Sequence, residues 1–415
     1  MTLASLLEDI VGDDLRVAFR LYDGSRLGPD PAPATIVVRS PDALRRMVQA
    51  PGELGLGRAY VAGDIDLEGD VYAALSLRES VPEVKFRTRQ ALSAIRLVGV
   101  KGLKRVPPPS EEAKLKGRRH SKERDAAAIS HHYDVSNEFY RIVLGPSLTY
   151  SCAVWASPDI TLEEAQASKH ELVSRKLALQ PGMRLLDIGC GWGGMLLHAA
   201  RHHGVRAVGV TISRRQAELA EKLVAEAGLS DRVEVRLQDY RDVDDGPYDA
   251  VSSIGMMEHV GLSQLATYFE CCSALLRPGG RLLNHQIGRP ATGPGSSAGT
   301  RFAKRGFIDA YVFPDGELHE VGTVVSALQQ SGFEARHLES LREHYALTLR
   351  EWVGNLERDW DTAVAEAGEA RARVWRLYMA GSALGFEDGR IQVHQVLAVK
   401  PDGARSGLPL RPTFE

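Results

Sequence analysis

The sequence predicts an α/β fold: a doubly wound, Rossmann-like parallel sheet preceded by a small N-terminal domain. Three observations predict it. From about residue 165 to 400, short apolar runs alternate with amphipathic stretches of helical length, as βαβ units require. The run Arg184–Ile188 breaks into Gly189-Cys190-Gly191-Trp192-Gly193-Gly194 and then into the helical pattern Met195–Ala200, which reads as strand, tight turn, helix. A length of 415 residues exceeds what one hydrophobic core usually serves.

In chain order, residues 1–100 form the N-terminal domain. Ala34–Val38 is β-branched and apolar, a strand. Pro41-Asp42 opens a helix that carries Leu44, Met47 and Val48, and Gly55, Gly57, Gly63 and Gly69 then read as tight turns around short elements. Residues 101–124 hold nine Lys or Arg against three acids, stiffened by Pro107-Pro108-Pro109. This is a basic linker, with two readings open. It is either a solvated connector or a segment that docks on an anionic membrane surface, where each basic side chain adds about 1 kcal/mol.

The second domain spans 125–400. Its first part, 127–155, is dense in aromatics and histidines. It is either a cap over a ligand mouth or ordinary helix packing. Strands are expected near 184–188, 206–211, 233–237, 248–254 and 280–287, with helices near 192–203, 213–227 and 263–276. Residues 348–384 carry Trp352, Leu356, Trp360 and Trp375 at helical spacing, a core pattern. Residues 401–415 read as a frayed tail.

Composition narrows the function. A formal net charge of −3 gives no overall pull toward nucleic acid. The 4 cysteines, Cys152, Cys190, Cys271 and Cys272, form no C-x-x-C, which argues against a disulfide framework or a zinc site. The first residues lack a basic stretch followed by an apolar one, and no run of 18 apolar residues occurs, so neither a signal peptide nor a span is expected. The expected location is cytoplasmic, peripheral at the inner face of the membrane.

The glycine-rich turn carries the chemistry. Gly189, Gly191 and Gly193 let the backbone turn sharply and let a ligand lie against it, and the helix that follows offers free N–H groups. A dinucleotide site wants an acid at the end of the next strand. Here that strand, Arg206–Val210, leads into Thr211-Ile212-Ser213 and Gln216. With Asp187 ahead of the glycines, the D-x-G-x-G-x-G loop is the pattern of class I S-adenosylmethionine-dependent methyltransferases. Ligands of such sheets bind beyond the carboxyl ends of the strands. That places Asp187–Gly193 (Cys190 included), Thr211–Gln216 (Ser213 included), Asp239-Tyr240 and Glu258-His259 on one rim.

Several motifs outside this loop sharpen the reading: His132-Tyr133-Asp134, Thr149-Tyr150-Ser151-Cys152, Ser253-Ile254-Gly255 with Glu258-His259, His285-Gln286-Ile287, Phe313-Pro314 and His344-Tyr345. With them the chain resembles the cyclopropane-fatty-acyl-phospholipid synthases and mycolic acid cyclopropane synthases, continuously from about 127 to 400 and more weakly over 1–100. The resemblance implies S-adenosylmethionine held by Tyr150, Ser151, Asp187, Gly189, Gly191, Thr211, Gln216 and Tyr240. It also implies a bound bicarbonate held by Cys152, Glu258, His285, the Ile287 backbone and Tyr345. The implied substrate is the cis double bond of an unsaturated acyl chain in a phospholipid. Methylation leaves a carbocation that needs a dry aromatic pocket, a role suited to Tyr133, Tyr150 and Phe139. Taken singly, Cys152 could be plain core, Glu258 a first-turn acid and His285 a satisfied core histidine.

One departure bears on the product. Many ring-forming members follow Phe-Pro with Gly-Gly and Leu-Pro-Ser, whereas this chain reads Phe313-Pro314-Asp315-Gly316-Glu317-Leu318. That resembles actinobacterial relatives that make 10-methylene acids, which a reductase partner then saturates to tuberculostearate-type acids. A cyclopropane ring and a methylene branch both stay open, as does homodimer formation. The competing readings are a small-molecule O- or N-methyltransferase using Glu258 or His285 as base, and a non-catalytic membrane-associated partner subunit.

Overall fold

A computed structural model describes residues 2–12, 15–80, 105–133, 135–291 and 306–414. Lys101 and Lys104 of the basic segment and Asp134 of the His-Tyr-Asp motif lie outside the described residues. Two compact units result.

The first unit comprises Met1–Lys114, Lys304–Val312 and Trp360–Leu384. A four-stranded sheet of order β2-β1-β3-β4 is its centre, built from β1 (Ala18–Leu21), β2 (Arg26–Leu27), β3 (Ala34–Val38) and β4 (Ile65–Gly69). Helices α1 (Leu3–Val11), α2 (Asp42–Gln49), α3 (Glu53–Val61) and α4 (Val71–Ser80) surround it, joined by α11 (Phe307–Tyr311), α14 (Trp360–Ala367) and most of α15 (Glu369–Glu387). Two expectations change here. Gly55 and Gly57 do not make turns; both sit inside α3. A Cβ on Gly57 would lie 2.3 Å from the Phe307 ring, so glycine is what lets that ring approach. The unit also reclaims 360–384, which sequence alone assigns to the second domain. The reason is Arg373. Its buried guanidinium donates to the Tyr60 and Ile65 carbonyls, both at 3.3 Å, and pairs with Asp66 at 3.2 Å and Glu369 at 2.9 Å. A buried charge with that many partners pins its helix in place.

The second unit carries a seven-stranded sheet of order β10-β11-β9-β8-β5-β6-β7. The strands are β5 (Arg184–Ile188), β6 (Arg206–Thr211), β7 (Val233–Leu237), β8 (Tyr248–Ile254), β9 (Leu276–Gly288), β10 (Glu334–Ser340) and β11 (Gln392–Val399). Strands β5 to β9 are parallel, as expected, but β11 runs antiparallel to β9, and β10 to β11. The sheet is therefore mixed. The order reverses at β5, whose neighbours are β6 and β8, and ligands of open α/β sheets bind at such a switch point.

Alternation along the strands divides the core into two layers. Leu186, Ile188, Val208 and Val210 pack with α10 (Leu265–Leu275) and α12 (Val321–Gln330). Leu185, Ala207 and Ala250 face the other way, onto α7 (Leu162–Leu177), α8 (Gly194–His203) and α9 (Arg214–Glu226). Helix α7 starts on a capping box, with Thr161 accepting from the Glu164 N–H and Glu164 reaching back to Thr161. Ahead of it come α5 (Lys122–Tyr133) and α6 (Asn137–Leu144), capped by Ser136. Helix α13 (Arg342–Arg358) follows β10.

The expected frayed tail is instead folded back. Phe414 packs edge-on to His337 at 5.0 Å, and Arg281 donates to the Gly407 carbonyl. Part of the basic segment is also tied down: Arg119 and Arg124 both pair with Asp315, and Lys122 with Asp242. Among the described residues no helix is long and apolar enough to cross a membrane.

Candidate active site

A cavity of about 160 Å³ opens at the carboxyl ends of β5, β6 and β8. The glycine turn forms its floor. Gly189 and Gly191 have φ of 77° and 56°, a region costly for side chains. A Cβ on Gly191 would meet no described atom within 4 Å, because that space is the cavity. The Gly189 and Cys190 N–H groups donate to the Val210 carbonyl at 2.9 and 3.1 Å, which ties the turn onto β6.

Of the residues expected at the cofactor, Tyr150, Ser151, Asp187, Gly189, Cys190, Gly191, Thr211, Gln216, Asp239 and Tyr240 all line this cavity. Gly193 and Ser213 do not. Gly193 is the N-cap of α8, with φ 86°. Ser213 is the N-cap of α9, where its hydroxyl accepts from the Gln216 N–H. Both hold helices whose starts frame the cavity.

Asp187 is more than a strand-end acid. It is buried and accepts from Ser252 Oγ at 2.6 Å. Burial raises its carboxyl to about 6, against the opposing pull of Ser252 and Lys169. Lys169, on α7, is buried too and donates to Ser151 Oγ at 3.0 Å. Burial lowers its ammonium to about 7, partly offset by Asp187. At the ribose position expected from the missing acid, Thr211 Oγ1 donates to Gln216 Oε1 at 2.9 Å. Burial would raise the Asp239 carboxyl, but bonds from Arg241 at 2.8 and 2.6 Å hold it low. Tyr240 stands beside it, edge-on to Tyr268 at 5.6 Å.

Sequence reasoning missed Lys169 and His170 as wall residues, while Trp192, within the expected rim Asp187–Gly193, does line the cavity. Lys169 and His170 sit in a charged helix with no motif to mark them. Asp315 is a surprise of another kind. It lines the cavity at φ 69°, in the left-handed region, where ring-forming members are expected to carry glycine. Arg124 Nη2 at 3.0 Å and Arg119 Nε at 2.5 Å hold it there.

A smaller cavity, about 20 Å³, adjoins through shared walls: Tyr133, Tyr150, Ser151, Gly255 and His259 line both. It brings together Cys152, Glu258, His285, Ile287 and Tyr345, the whole set expected for the anion, with Phe313. Its aromatic wall is closely packed. Tyr133 meets His132, Tyr150 and Trp192 edge-on at 4.6, 6.0 and 6.2 Å, and Phe313 lies 4.4 Å from His132. Phe139 is not part of it. That residue is fully buried in α6, against Tyr140, and lines neither cavity.

The polar groups of the smaller cavity are specific. Burial pushes the Cys152 thiol well above its usual value, so it is a neutral wall group rather than a nucleophile. The Ile287 N–H is already used: it donates to Glu258 Oε1 at 2.6 Å. That contact orients Glu258, and Ile287 still lines the cavity. Burial raises the Glu258 carboxyl to about 7, with the Ile287 N–H opposing. Glu258 Oε2 and His285 Nε2 have no partner among the described residues. Buried polar atoms without partners are rare, and these two line one small cavity. Gln395 Nε2 lies 3.2 Å from His285 Nδ1, and Lys176 Nζ occupies Gln395 Oε1 at 2.6 Å. That network assigns the amide proton to Nδ1 and the ring proton to Nε2, a donor facing the cavity. Burial, then the fields of Lys169 and Lys176, keeps His285 neutral. Two nearby ammonium groups, one imidazole donor and a carboxyl that holds a proton near neutrality fit a small oxyanion.

Glycine turn, switch point and cavity define a class I S-adenosylmethionine-dependent methyltransferase. A family profile described as mycolic acid cyclopropane synthetase matches residues 120–396, and the chain belongs to that family. It is 46% identical over 428 residues to a probable fatty acid methyltransferase of Mycobacterium tuberculosis, covering 100% of this chain and 99% of that one. It is 32% identical over 382 residues to the cyclopropane-fatty-acyl-phospholipid synthase of Escherichia coli K12, covering 91% and 90%. A crystal structure of a mycolic acid cyclopropane synthase complexed with SAH and CTAB superposes with TM-score 0.62 at 36% identity, over 66% of this chain and 98% of that one.

Proposed function

We propose that this methyltransferase acts on the cis double bond of unsaturated acyl chains in phospholipids and yields a cyclopropane or a 10-methylene branch. The observation that carries this reading is the second cavity. An aromatic chamber that also contains two unpartnered buried polar atoms suits a cation that must be held and then deprotonated. A small-molecule O- or N-methyltransferase needs no such chamber.

S-adenosylmethionine would supply an electrophilic methyl group when held by Gly189, Gly191, Thr211, Gln216 and Tyr240. The alkene π pair would form the new C–C bond as the S–CH3 bond breaks and its pair stays on sulfur, releasing S-adenosylhomocysteine and leaving a carbocation on the acyl chain. The faces of Tyr133, Tyr150 and Phe313 attract that charge without bonding to it. Burial keeps His259, lowered to about 4, and His285 neutral, so neither repels the cation. The neutral Cys152 thiol offers no strong nucleophile to trap it.

Bicarbonate would supply the proton acceptor when held between Glu258 Oε2 and His285 Nε2. The proton leaves the new methyl group. Its C–H pair closes a ring, or, after a 1,2-hydride shift, forms an exocyclic double bond. In the second case a reductase partner would saturate the product. The exposed basic side chains Lys114, Lys116 and Arg118 support docking on anionic membrane, the setting in which such acyl chains occur.

Incubation with labelled S-adenosylmethionine and unsaturated phospholipid, followed by mass spectrometry of the acyl chains, tests the proposal. The expected result is label in a product heavier by one CH2, with fragmentation at the former double bond telling ring from branch. Acyl chains of unchanged mass would overturn it.

A further inference from the structure

The structure assigns a second site to this chain: we propose that Glu171, His198 and His203 bind a divalent transition-metal ion of the zinc class, bridging α7 and α8 outside the catalytic cavities. Glu171 stands on α7, and the two histidines on the face of α8 that meets it. The ligand atoms converge on one point. His198 Nε2 lies 3.2 Å and His203 Nε2 3.0 Å from the same carboxylate oxygen, Glu171 Oε2. All three atoms fall within 4.8 Å of one another. Metal bonds of about 2.0–2.1 Å in tetrahedral array place ligands roughly 3.3 Å apart, which the two imidazole–carboxylate separations already approach.

Two imidazoles and one carboxylate suit zinc, and three protein ligands leave a fourth position for water. The second carboxylate oxygen is oriented from outside the site: Arg175 Nε donates to Glu171 Oε1 at 2.7 Å. Such an outer contact is what positions a ligating carboxylate. The three side chains are 13%, 18% and 32% exposed for His198, His203 and Glu171, so an ion has a path in from solvent. The location gives the ion a role. Helix α7 also carries Lys169 and His170, and α8 begins at Gly194; all three line the cofactor cavity. An ion here ties together the two helices that flank it.

The test uses full-length protein freed of any affinity tag and stripped with chelator. Equilibrium dialysis against micromolar Zn2+ with elemental analysis should show one ion per chain, lost in the separate variants His203→Gln and Glu171→Gln. Thermal unfolding should shift upward with Zn2+ in the wild type and stay unmoved in both variants. Co2+ added to the wild type should give the intense visible absorption of a tetrahedral site, a readout that does not depend on the variants folding. No retained Zn2+, the same stoichiometry in wild type and variants, or an octahedral Co2+ spectrum would each overturn the proposal.

Discussion

Gln395 and His285 face each other across the antiparallel β9–β11 ladder, and the Gln395 amide donates to His285 Nδ1 at 3.2 Å. Lys176 occupies the other end of that amide at 2.6 Å and is itself paired with Glu339. The chain of contacts leaves one ring tautomer, with the proton on Nε2. Histidine chemistry depends on which nitrogen carries the proton.

Gln395→Leu keeps the side-chain volume and removes the donor. His285 can then place its proton on either nitrogen. Turnover should fall by about tenfold or more, within the range that a misplaced acid–base proton costs. Affinity for S-adenosylmethionine should be unchanged in calorimetry. Equal loss of both would reassign Gln395 to folding.

Glu258 gives stability a pH dependence. Below its ordinary value near 4.5 the carboxyl is protonated in folded and unfolded chains alike. Between 4.5 and about 7 only the unfolded chain ionises, so folding stability falls as pH rises through that window. Above 7 the penalty is complete. Glu258→Gln removes it, and the variant should be more stable than wild type at pH 8 by up to about 3 kcal/mol, with no gain at pH 4. Urea unfolding at both pH values checks this. The variant should lose turnover while it gains stability.

Gly191→Val should abolish cofactor binding. Valine strains the left-handed backbone at φ 56° and fills the cavity where the missing Cβ points. The backbone term alone is of order 1–3 kcal/mol. Calorimetry with S-adenosylhomocysteine is the measurement, and wild-type affinity would refute the placement of the cofactor.

Membrane docking should depend on the basic side chains that are not paired to acids of their own unit. Arg119 and Arg124 are engaged with Asp315, so they are the wrong residues to remove. Replacing Lys114, Lys116 and Arg118 with Gln should weaken sedimentation with anionic vesicles at low salt. Because screening acts over roughly 8 Å at physiological salt, the difference should shrink as salt rises. Identical sedimentation of variant and wild type would leave this segment as a connector.

The central sheet was largely legible because its strands are short apolar runs. β5, β6, β7 and β8 fall where the pattern places them, and the glycine turn marks the cofactor end. β10 and β11 were not read. β10, Glu334–Ser340, is mostly half-buried and carries Arg336, His337 and Glu339, which hides its period. The smaller cavity was legible through motifs, since Cys152, Glu258, His285 and Tyr345 lie far apart in sequence and no local pattern joins them. What escaped was the supporting layer. Lys169 and Gln395 are single polar residues in a helix and a strand, and only packing shows that burial forces each to find a partner. Phe139 failed for the opposite reason: an aromatic beside a motif is as suited to core as to a pocket wall.

Strand β11 also has a consequence for biosynthesis. It lies between β9 and β10 in the sheet, yet it is made after both. While the ribosome is still adding residues near 400, Gln395 is inside the exit tunnel and His285 has no partner for Nδ1. Strand β10 likewise has no neighbour to pair with until β11 emerges and inserts. The nascent chain can form the glycine turn and the first parallel strands early, but completion of the sheet, and the contact that fixes His285, await the emergence of this late strand.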